Sequence, residues 1–376
     1  MKNAETALPN RKKGRRKWYI LSAVIAALLI GLILFLIFGV RKTIYPEVKP
    51  TDEEKTVVMK LGDHEVSYDL YRYFFLGCKN LISGGDDAYF DGMDSAEAFR
   101  LIDGQARKEL ADFFAAFDMA KEIGVDLDGK DFSKTYRRLL AISMTGGEFD
   151  GTTYAGYKDE KTYRQALKEN GMNDASFRLS VRSYAAEYAA AVAYNASVQY
   201  KKEDVNAFFL GEDGACITFA YIPFLNGETA ADTQRRVDTA YAALLQKKDA
   251  GLDEYTNLCI QYTGGWIHPE SIKRGFCIGR YDIKGDYSSL AKTAFSLKEG
   301  EIGEPVATPD GYYIVRRLPL DEEKLAAFDY DELATSYVAN CFYRRLTEIG
   351  NALQDACQTT DFYAGLTIDN VRYTAD

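Results

Sequence analysis

The pattern of apolar and polar positions divides the chain into one long uncharged segment and a series of amphipathic elements after it. Residues 18–40 contain no charged side chain. A helix rises about 1.5 Å per residue, so a segment of this length spans a bilayer core of about 30 Å. The pattern therefore predicts a single transmembrane helix at residues 18–40.

The charges that flank this segment predict its orientation. Six lysines and arginines lie between residues 11 and 17, whereas only Arg41 and Lys42 follow the segment directly. The positive-inside rule places residues 1–17 in the cytoplasm as a basic tail. We therefore expect a single-pass protein of the cell membrane whose C-terminal domain is extracytoplasmic.

A cleaved signal peptide is the rival interpretation of the apolar segment. The segment exceeds the usual apolar region of about 7 to 15 residues, and no Ala-x-Ala-like cleavage site closes it. No cysteine follows it at the place where a lipoprotein would be lipidated. Retention as an anchor is the interpretation that the residues favour.

The pattern after the anchor predicts a stalk and then a helical region. Residues 41–55 contain two prolines and a run of charges, which is typical of a short linker. Residues 56–210 begin with a strand-like run and continue with helical periodicity. The predicted helices begin near Ser67 and near Ser95, which can cap its helix, and cover residues 132–144, 160–170 and 174–200. The aromatic stripes on these helices indicate a core rather than a cofactor site.

The pattern changes near Cys216 and predicts a compact α/β unit at residues 215–319. Its elements are a strand from 216 to 224, helices at 229–249 and 253–262, a glycine-rich loop, a helical turn at 288–296 and a closing strand at 311–318. Residues 321–376 return to a long helix, predicted at 321–356. This order predicts an α/β domain inserted between helical segments, with the C-terminal helix packing on the helical domain. The predicted fold class is α+β, mostly helical, with a small mixed sheet.

Charge and composition exclude several classes of function. Residues 1–42 carry a net charge of +8, and the whole chain carries −10, which leaves −18 on the remainder. So acidic a domain has no basic face for nucleic acid. The six cysteines allow disulfides without requiring them, and their spacing matches no zinc site. With two histidines in the chain, we expect no metal centre, no serine triad and no cofactor.

A resemblance to a known family appears in the α/β unit. The run Phe-Ser-Leu-Lys-Glu-Gly-Glu-Ile-Gly-Glu-Pro-Val at residues 295–306, followed by Thr-Pro-Asp-Gly-Tyr-Tyr-Ile-Val at 308–315, resembles the C-terminal signature of parvulin-type peptidyl-prolyl isomerase domains. Residues 57–67 and 202–209 are similar, more weakly, to SurA-like and PrsA-like foldases. The resemblance implies a SurA-N-like chaperone domain with a parvulin-like insert, acting on unfolded or exported polypeptides.

The resemblance also implies where such a domain would bind a peptide. The family carries one histidine in its first strand and one in its last, and those positions are Tyr221 and Tyr313 here. The methionine of the family's proline pocket falls near Asp286 or Tyr287, and its phenylalanine falls at Leu290. These five residues form the candidate peptide-binding cleft.

The departures from the family pattern reduce the isomerase chemistry that the resemblance implies. Rotation of an X-Pro bond meets a barrier of about 20 kcal/mol. An isomerase lowers it with an apolar cup for the proline ring and a hydrogen-bond network that favours the twisted amide. Both family histidines are tyrosine here, and the expected cysteine or aspartate falls near Gly264 and Gly265. The sequence thus identifies no catalytic residue and predicts a foldase or chaperone with little or no isomerase activity.

Two other functions stay open at this point. One is an active isomerase with an altered pocket built on Tyr221, Leu290 and Tyr313. The other is a single-pass scaffold subunit of an envelope complex, in which the parvulin-like domain is a docking module. The chaperone hypothesis predicts an aromatic-lined cleft between the helical domain and the insert. The sequence shows no sustained heptad pattern, so it does not predict an oligomeric state.

Overall fold

The computed structural model describes residues 44–371, except residues 87, 249–250 and 284–286. Within these residues the chain is an α+β protein that is mostly helical, as the sequence pattern predicts. No helix in the described part of the chain is long and apolar enough to cross a membrane. The predicted span at residues 18–40 lies outside the described residues.

Five helices of the described residues before the α/β unit share one core. They are α1 (Tyr68–Ser83), α2 (Ser95–Ile123), α3 (Lys130–Thr145), α4 (Glu160–Glu169) and α5 (Asp174–Ser197). Their apolar stripes meet in one core in which Tyr71, Phe75 and Leu110 are fully buried. The aromatic residues Tyr71 and Phe75 are therefore core residues, as their helical spacing indicates.

The cap of α2 corrects one expectation. Ser95 is the first helical residue, and the cap is Asp94, whose carboxylate accepts the backbone N–H groups of Ala96 and Glu97. Aspartate and serine are both good caps, so the residue types alone do not decide between neighbouring positions.

The end of the described chain returns to this helical core. Strands β1 (Val57–Leu61) and β2 (His64–Ser67) pair with each other, and the late strand β9 (Cys357–Thr359) pairs with β1. Helix α12 (Tyr330–Asp355) packs along α2. The two helices are also joined by an ion pair, with 2.8 Å between Nη2 of Arg345 and Oε2 of Glu122. Helix α13 (Asp361–Ala364) follows β9.

The single long helix predicted at 321–356 is wrong. The structure divides it into α11 (Glu322–Leu325) and α12. Asp321 caps the first helix through the N–H of Lys324, and Asp329 caps the second through the N–H groups of Asp331 and Glu332. Two capping aspartates eight residues apart start two helices, although the apolar period continues through the break.

The α/β unit is built on an antiparallel four-stranded sheet in the order β6-β5-β8-β7. The strands are β5 (Gly214–Pro223), β6 (Phe276–Gly279), β7 (Val306–Thr308) and β8 (Gly311–Leu318). Along β5, Ala220 and Ile222 face a core shared with helices α7 (Ala230–Gln246), α8 (Leu252–Thr263) and α9 (Pro269–Arg274). Phe219 and Tyr221 face the opposite side, which helix α10 (Ser288–Ser296) covers.

A hydrogen-bond network joins this sheet to α12. The buried amide of Asn340 donates to Oδ1 of Asp282 (2.5 Å) and accepts the backbone N–H of Tyr281 (2.7 Å). Asp282 also accepts the N–H of Gly279, at the end of β6. A side chain at position 279 would collide with the Asn340 amide. Glycine is therefore needed where β6 meets α12.

A small apolar cluster completes the same junction. Phe209 of helix α6 (Lys202–Leu210) packs with Val205, Leu325, Leu333 and Ala334. It is 1% exposed. The junction between the sheet and the C-terminal helix therefore has both an apolar and a polar component.

All six cysteines are free in the structure, and Cys78, Cys216 and Cys259 are buried. Burial raises the pKa of Cys78 and of Cys259 to about 12, so both thiols are neutral at physiological pH. Neutral, buried thiols are poor nucleophiles, which gives these two cysteines a packing role.

Candidate functional site

Two of the predicted site residues lie side by side at one end of the four-stranded sheet. Tyr221 is near the end of β5, Tyr313 is near the start of β8, and the two are direct cross-strand partners. Their ring centroids are 4.9 Å apart, and the rings are inclined by 33°. The positions that the resemblance assigns to the family's two histidines are therefore adjacent in space.

Both tyrosine hydroxyls point to Asp310, in the turn between β7 and β8. The Tyr221 hydroxyl lies 3.1 Å from Oδ2 of Asp310 and 3.0 Å from its backbone oxygen. The Tyr313 hydroxyl lies 3.4 Å from the same Oδ2. Thr308 donates to Oδ1 at 2.6 Å, and the side chain of Tyr287 also donates to the carboxylate. We call Tyr221, Tyr287, Tyr313 and Asp310 the tyrosine–aspartate cluster.

The cluster holds its protons on the tyrosines and its negative charge on the aspartate. Burial and the hydrogen bond to Asp310 raise the pKa of Tyr221 to about 12. Burial and the charge of Asp310 also raise the pKa of Tyr313. For Asp310, partial burial acts to raise the pKa, but the hydrogen bonds from Thr308, Tyr221 and Tyr287 outweigh it and lower the pKa. At physiological pH the site is thus a fixed carboxylate surrounded by neutral phenols.

Exposed apolar side chains lie at the same end of the sheet, and one of them contacts the cluster. Trp266, just after α8, is 67% exposed and meets Tyr221 edge to face at a centroid distance of 6.4 Å. The backbone N–H of Phe224 donates to the Asp310 backbone oxygen, but the Phe224 ring meets that of Tyr312 on the other face of β8. The side chains of Phe224 and Leu225 are about half exposed. We call Trp266, Phe224 and Leu225 the apolar rim. Exposed apolar groups around an oriented polar centre are typical of a binding surface.

The remaining predicted site residues lie in different environments. Tyr287 precedes α10, and its ring centroid is 6.5 Å from that of Tyr313. Leu290 on α10 is 6% exposed and belongs to the apolar cluster beneath Tyr221 and Tyr313. Leu290 thus supports the site from below. Asp286 lies outside the described residues.

Sequence reasoning missed Asp310, Thr308 and Trp266. In the sequence, the turn that contains Thr308 and Asp310 carries no signal of a site beyond its place in the family signature. The aspartate acquires its role from tyrosines on β5, on β8 and before α10, which are far apart in the sequence. Trp266 had a weaker signal, a tryptophan after two glycines in a loop. Gly264 and Gly265 both have positive φ angles, of 63° and 86°, so they end α8 and contribute no side chain.

Two surface cavities lie elsewhere in the described residues. One, of about 410 Å³, is in the helical region and is lined by Tyr136, Arg137 and Arg178 among others. The other, of about 460 Å³, is lined by Glu212, Arg280 and Arg317 among others. Neither is the aromatic-lined cleft expected between the helical region and the insert. The exposed aromatic side chains of the α/β unit gather instead at the end of its sheet.

Several solved structures resemble this chain, and they are PrsA foldases. That of Streptococcus pneumoniae has a TM-score of 0.30 at 14% identity, over 67% of this chain and 85% of its own. That of Bacillus subtilis has a TM-score of 0.22 at 14% identity, over 69% and 86%. A peptidylprolyl isomerase (PrsA) of Bacillus anthracis has a TM-score of 0.24 at 18% identity, over 66% and 94%. TM-scores this low establish no shared overall arrangement. No protein-family model matches the sequence, and no curated protein matches it either.

Proposed function

We propose that this chain is a membrane-anchored, extracytoplasmic foldase or chaperone whose α/β unit binds unfolded or proline-containing polypeptide, with little or no isomerase activity. One observation carries the proposal: Tyr221 and Tyr313, at the positions where the parvulin resemblance has histidines, converge on Asp310 beside the exposed Trp266. The anchor is supported by the uncharged residues 18–40 behind a basic tail.

The chemistry of the site suits polypeptide binding. Tyrosine and tryptophan offer large apolar faces together with polar tips, so they contact both side chains and backbone. The three rim residues keep apolar surface in water until a partner covers it. An unfolded chain exposes apolar side chains and backbone carbonyls together, and this combination fits the surface.

The same geometry argues against efficient isomerisation. Each tyrosine hydroxyl has a single proton, and in the structure Tyr221 and Tyr313 both direct it to Asp310. A proton held by a carboxylate is not free to stabilise a twisted amide. Gly264 and Gly265 add no side chain where the resemblance has a cysteine or aspartate. The proposed function is therefore binding of a client, which does not depend on rotation of its X-Pro bonds.

Removing the exposed tryptophan tests the proposal. We expect Trp266→Ala to raise by about fivefold the concentration of full-length protein needed to half-suppress aggregation of an unfolded client, since an aromatic contact contributes about 1 kcal/mol. Leu81→Ala is the matched control, because Leu81 is equally exposed, at 69%, but lies on α1. Equal losses in both variants, or no loss in either, would contradict the proposed location of the site.

An altered-pocket isomerase is the second candidate, because the cluster holds two oriented tyrosine hydroxyls at the positions of the family's histidines. The full-length chain is assayed with a short X-Pro peptide beside the aggregation assay. Isomerisation above background that is lost in Leu290→Ala and Tyr313→Phe would identify an enzyme. Suppression of aggregation without isomerisation supports the chaperone. Absence of both activities would favour the docking scaffold.

A further inference from the structure

The Asp310 carboxylate is surrounded by neutral donors. Its side-chain partners among the described residues are the hydroxyls of Thr308, Tyr221, Tyr287 and Tyr313. No lysine, arginine or histidine of the described residues forms an ion pair with it. These hydroxyls orient the charge and partly solvate it, but they do not neutralise it.

Two other acids in or beside the same unit have cationic partners. Glu228, in the loop after β5, pairs with Arg236, with 2.6 Å between Oε2 and Nη2. Asp213, just before β5, lies 3.2 Å from Nε of Arg280 and 3.5 Å from Nη1 of Arg344. Within the described residues, Asp310 is therefore a negative charge without a cationic partner, held among partly buried phenols and close to the exposed Trp266.

The complement of this arrangement is a cation with an apolar stem. Lysine and arginine side chains lay their methylene groups on apolar surface while the charged end reaches a carboxylate. Tyrosine and tryptophan rings also attract a cation over their faces. The rings of Tyr313 and Trp266 flank the same Tyr221 ring, so both interactions are offered at one place.

The charge of the whole chain acts in the same direction. The residues after position 42 carry a net charge of −18. Such a field attracts cationic segments and repels acidic ones at the stage of encounter. Steering by the whole domain brings basic segments near, and Asp310 supplies the local contact that retains them.

We propose that the tyrosine–aspartate cluster selects client segments in which a lysine or arginine adjoins the apolar or proline residue that packs on Trp266, the rim residue in contact with the cluster. This inference rests on the proposed polypeptide binding and adds its specificity. Asp310 is the residue that sets the preference, and the rim supplies affinity that does not depend on charge.

Three fluorescent peptides of equal length, each with X-Pro-Phe at its centre and X as lysine, glutamine or glutamate, test this inference. With the full-length chain in non-ionic detergent, we expect the lysine peptide to bind about fivefold tighter than the glutamine peptide, as one partly exposed ion pair provides. We expect the glutamate peptide to bind more weakly than both. Raising the salt concentration from 50 to 500 mM should reduce the preference, because screening shortens the reach of the charge.

Asp310→Asn removes the charge while keeping an acceptor for the tyrosine hydroxyls. We expect this variant to lose most of the difference between the lysine and glutamine peptides and to keep only the weaker preference that the charge of the whole domain provides. Asp238→Asn is the matched control, because it removes one exposed acid from α7, on the other face of the sheet. The control should keep the preference.

The possible outcomes separate the inference from the proposal beneath it. Binding without a charge preference, or a preference that is undiminished in Asp310→Asn, overturns the inference and leaves polypeptide binding standing. A preference lost equally in Asp238→Asn also overturns it, because net charge alone would then explain the selectivity. Failure of all three peptides to bind the unmodified chain overturns the proposed function together with the inference. The salt dependence is measured on the unmodified chain and needs no variant to fold.

Discussion

Phe209→Ala is expected to lower the free energy of unfolding by about 3 to 5 kcal/mol, the usual cost of removing a fully buried phenylalanine side chain. Phe209 fills the junction where α6 meets α11 and α12. Its loss leaves a cavity among Val205, Leu325 and Leu333, which are held on three different helices. Urea denaturation of the full-length chain, followed by circular dichroism, measures the change.

Leu210→Ala serves as the control for this prediction. Leu210 is the next residue of the same helix but is 38% exposed, so its truncation should cost less than about 1 kcal/mol. Similar losses for the two variants would show that Phe209 has no special role at the junction.

Asn340→Ala is expected to cost about 2 to 3 kcal/mol of stability, because it leaves buried polar groups without partners. Asn340 is 1% exposed. Its amide nitrogen donates to Asp282 and to the backbone oxygen of Ser336, and its amide oxygen accepts the backbone N–H of Tyr281. Truncation deprives Tyr281 N–H of its acceptor and Asp282 of one donor. The same urea denaturation measures the loss. Hydrogen exchange should also become faster in β6.

Ser336→Ala is the control for the polar network. Ser336 is half-buried and also donates to Asp282, which keeps the Gly279 N–H and the Asn340 amide as donors when Ser336 is truncated. We expect a loss of less than about 1 kcal/mol. If Asn340→Ala costs no more than Ser336→Ala, the network does not stabilise the junction.

The sequence predicts the α/β unit well at the elements whose signals are local. The structure has α10 at Ser288–Ser296 and β8 at Gly311–Leu318, at the bounds that the pattern predicts. Turn residues bracket both elements, and the apolar positions of each follow a clear period. Where turn residues and an apolar period coincide, local physics is sufficient.

Elements that depend on distant partners were not predicted. The sequence pattern at β6 predicts only part of a glycine-rich loop. Strand β9 forms because it pairs with a free edge of β1, about 300 residues earlier in the chain. The hairpin of β3 (Gly147–Phe149) and β4 (Thr152–Tyr154) is too short to show alternation. A strand of three or four residues is defined by its pairing, which a single sequence does not display.

The candidate site shows the same contrast between features with a local sequence signal and features that depend on distant partners. The family resemblance identifies Tyr221, Tyr287, Leu290 and Tyr313, and the structure brings three of them together around one carboxylate with Leu290 packed below. Asp310 was missed because its significance comes from the convergence of hydroxyl groups on it. Residue types in a turn indicate that a turn exists, whereas the partners of its side chains depend on the fold.

Hydrogen exchange of the full-length chain, with and without a reduced and alkylated client protein, is the most direct test of the central claim that this cluster binds polypeptide. We expect the client to slow exchange at residues 221–226, 263–268 and 310–313 and to leave helix α3 unchanged, since local protection reports where a partner covers the backbone. Protection confined to the helical region, with none at these three segments, would contradict the account.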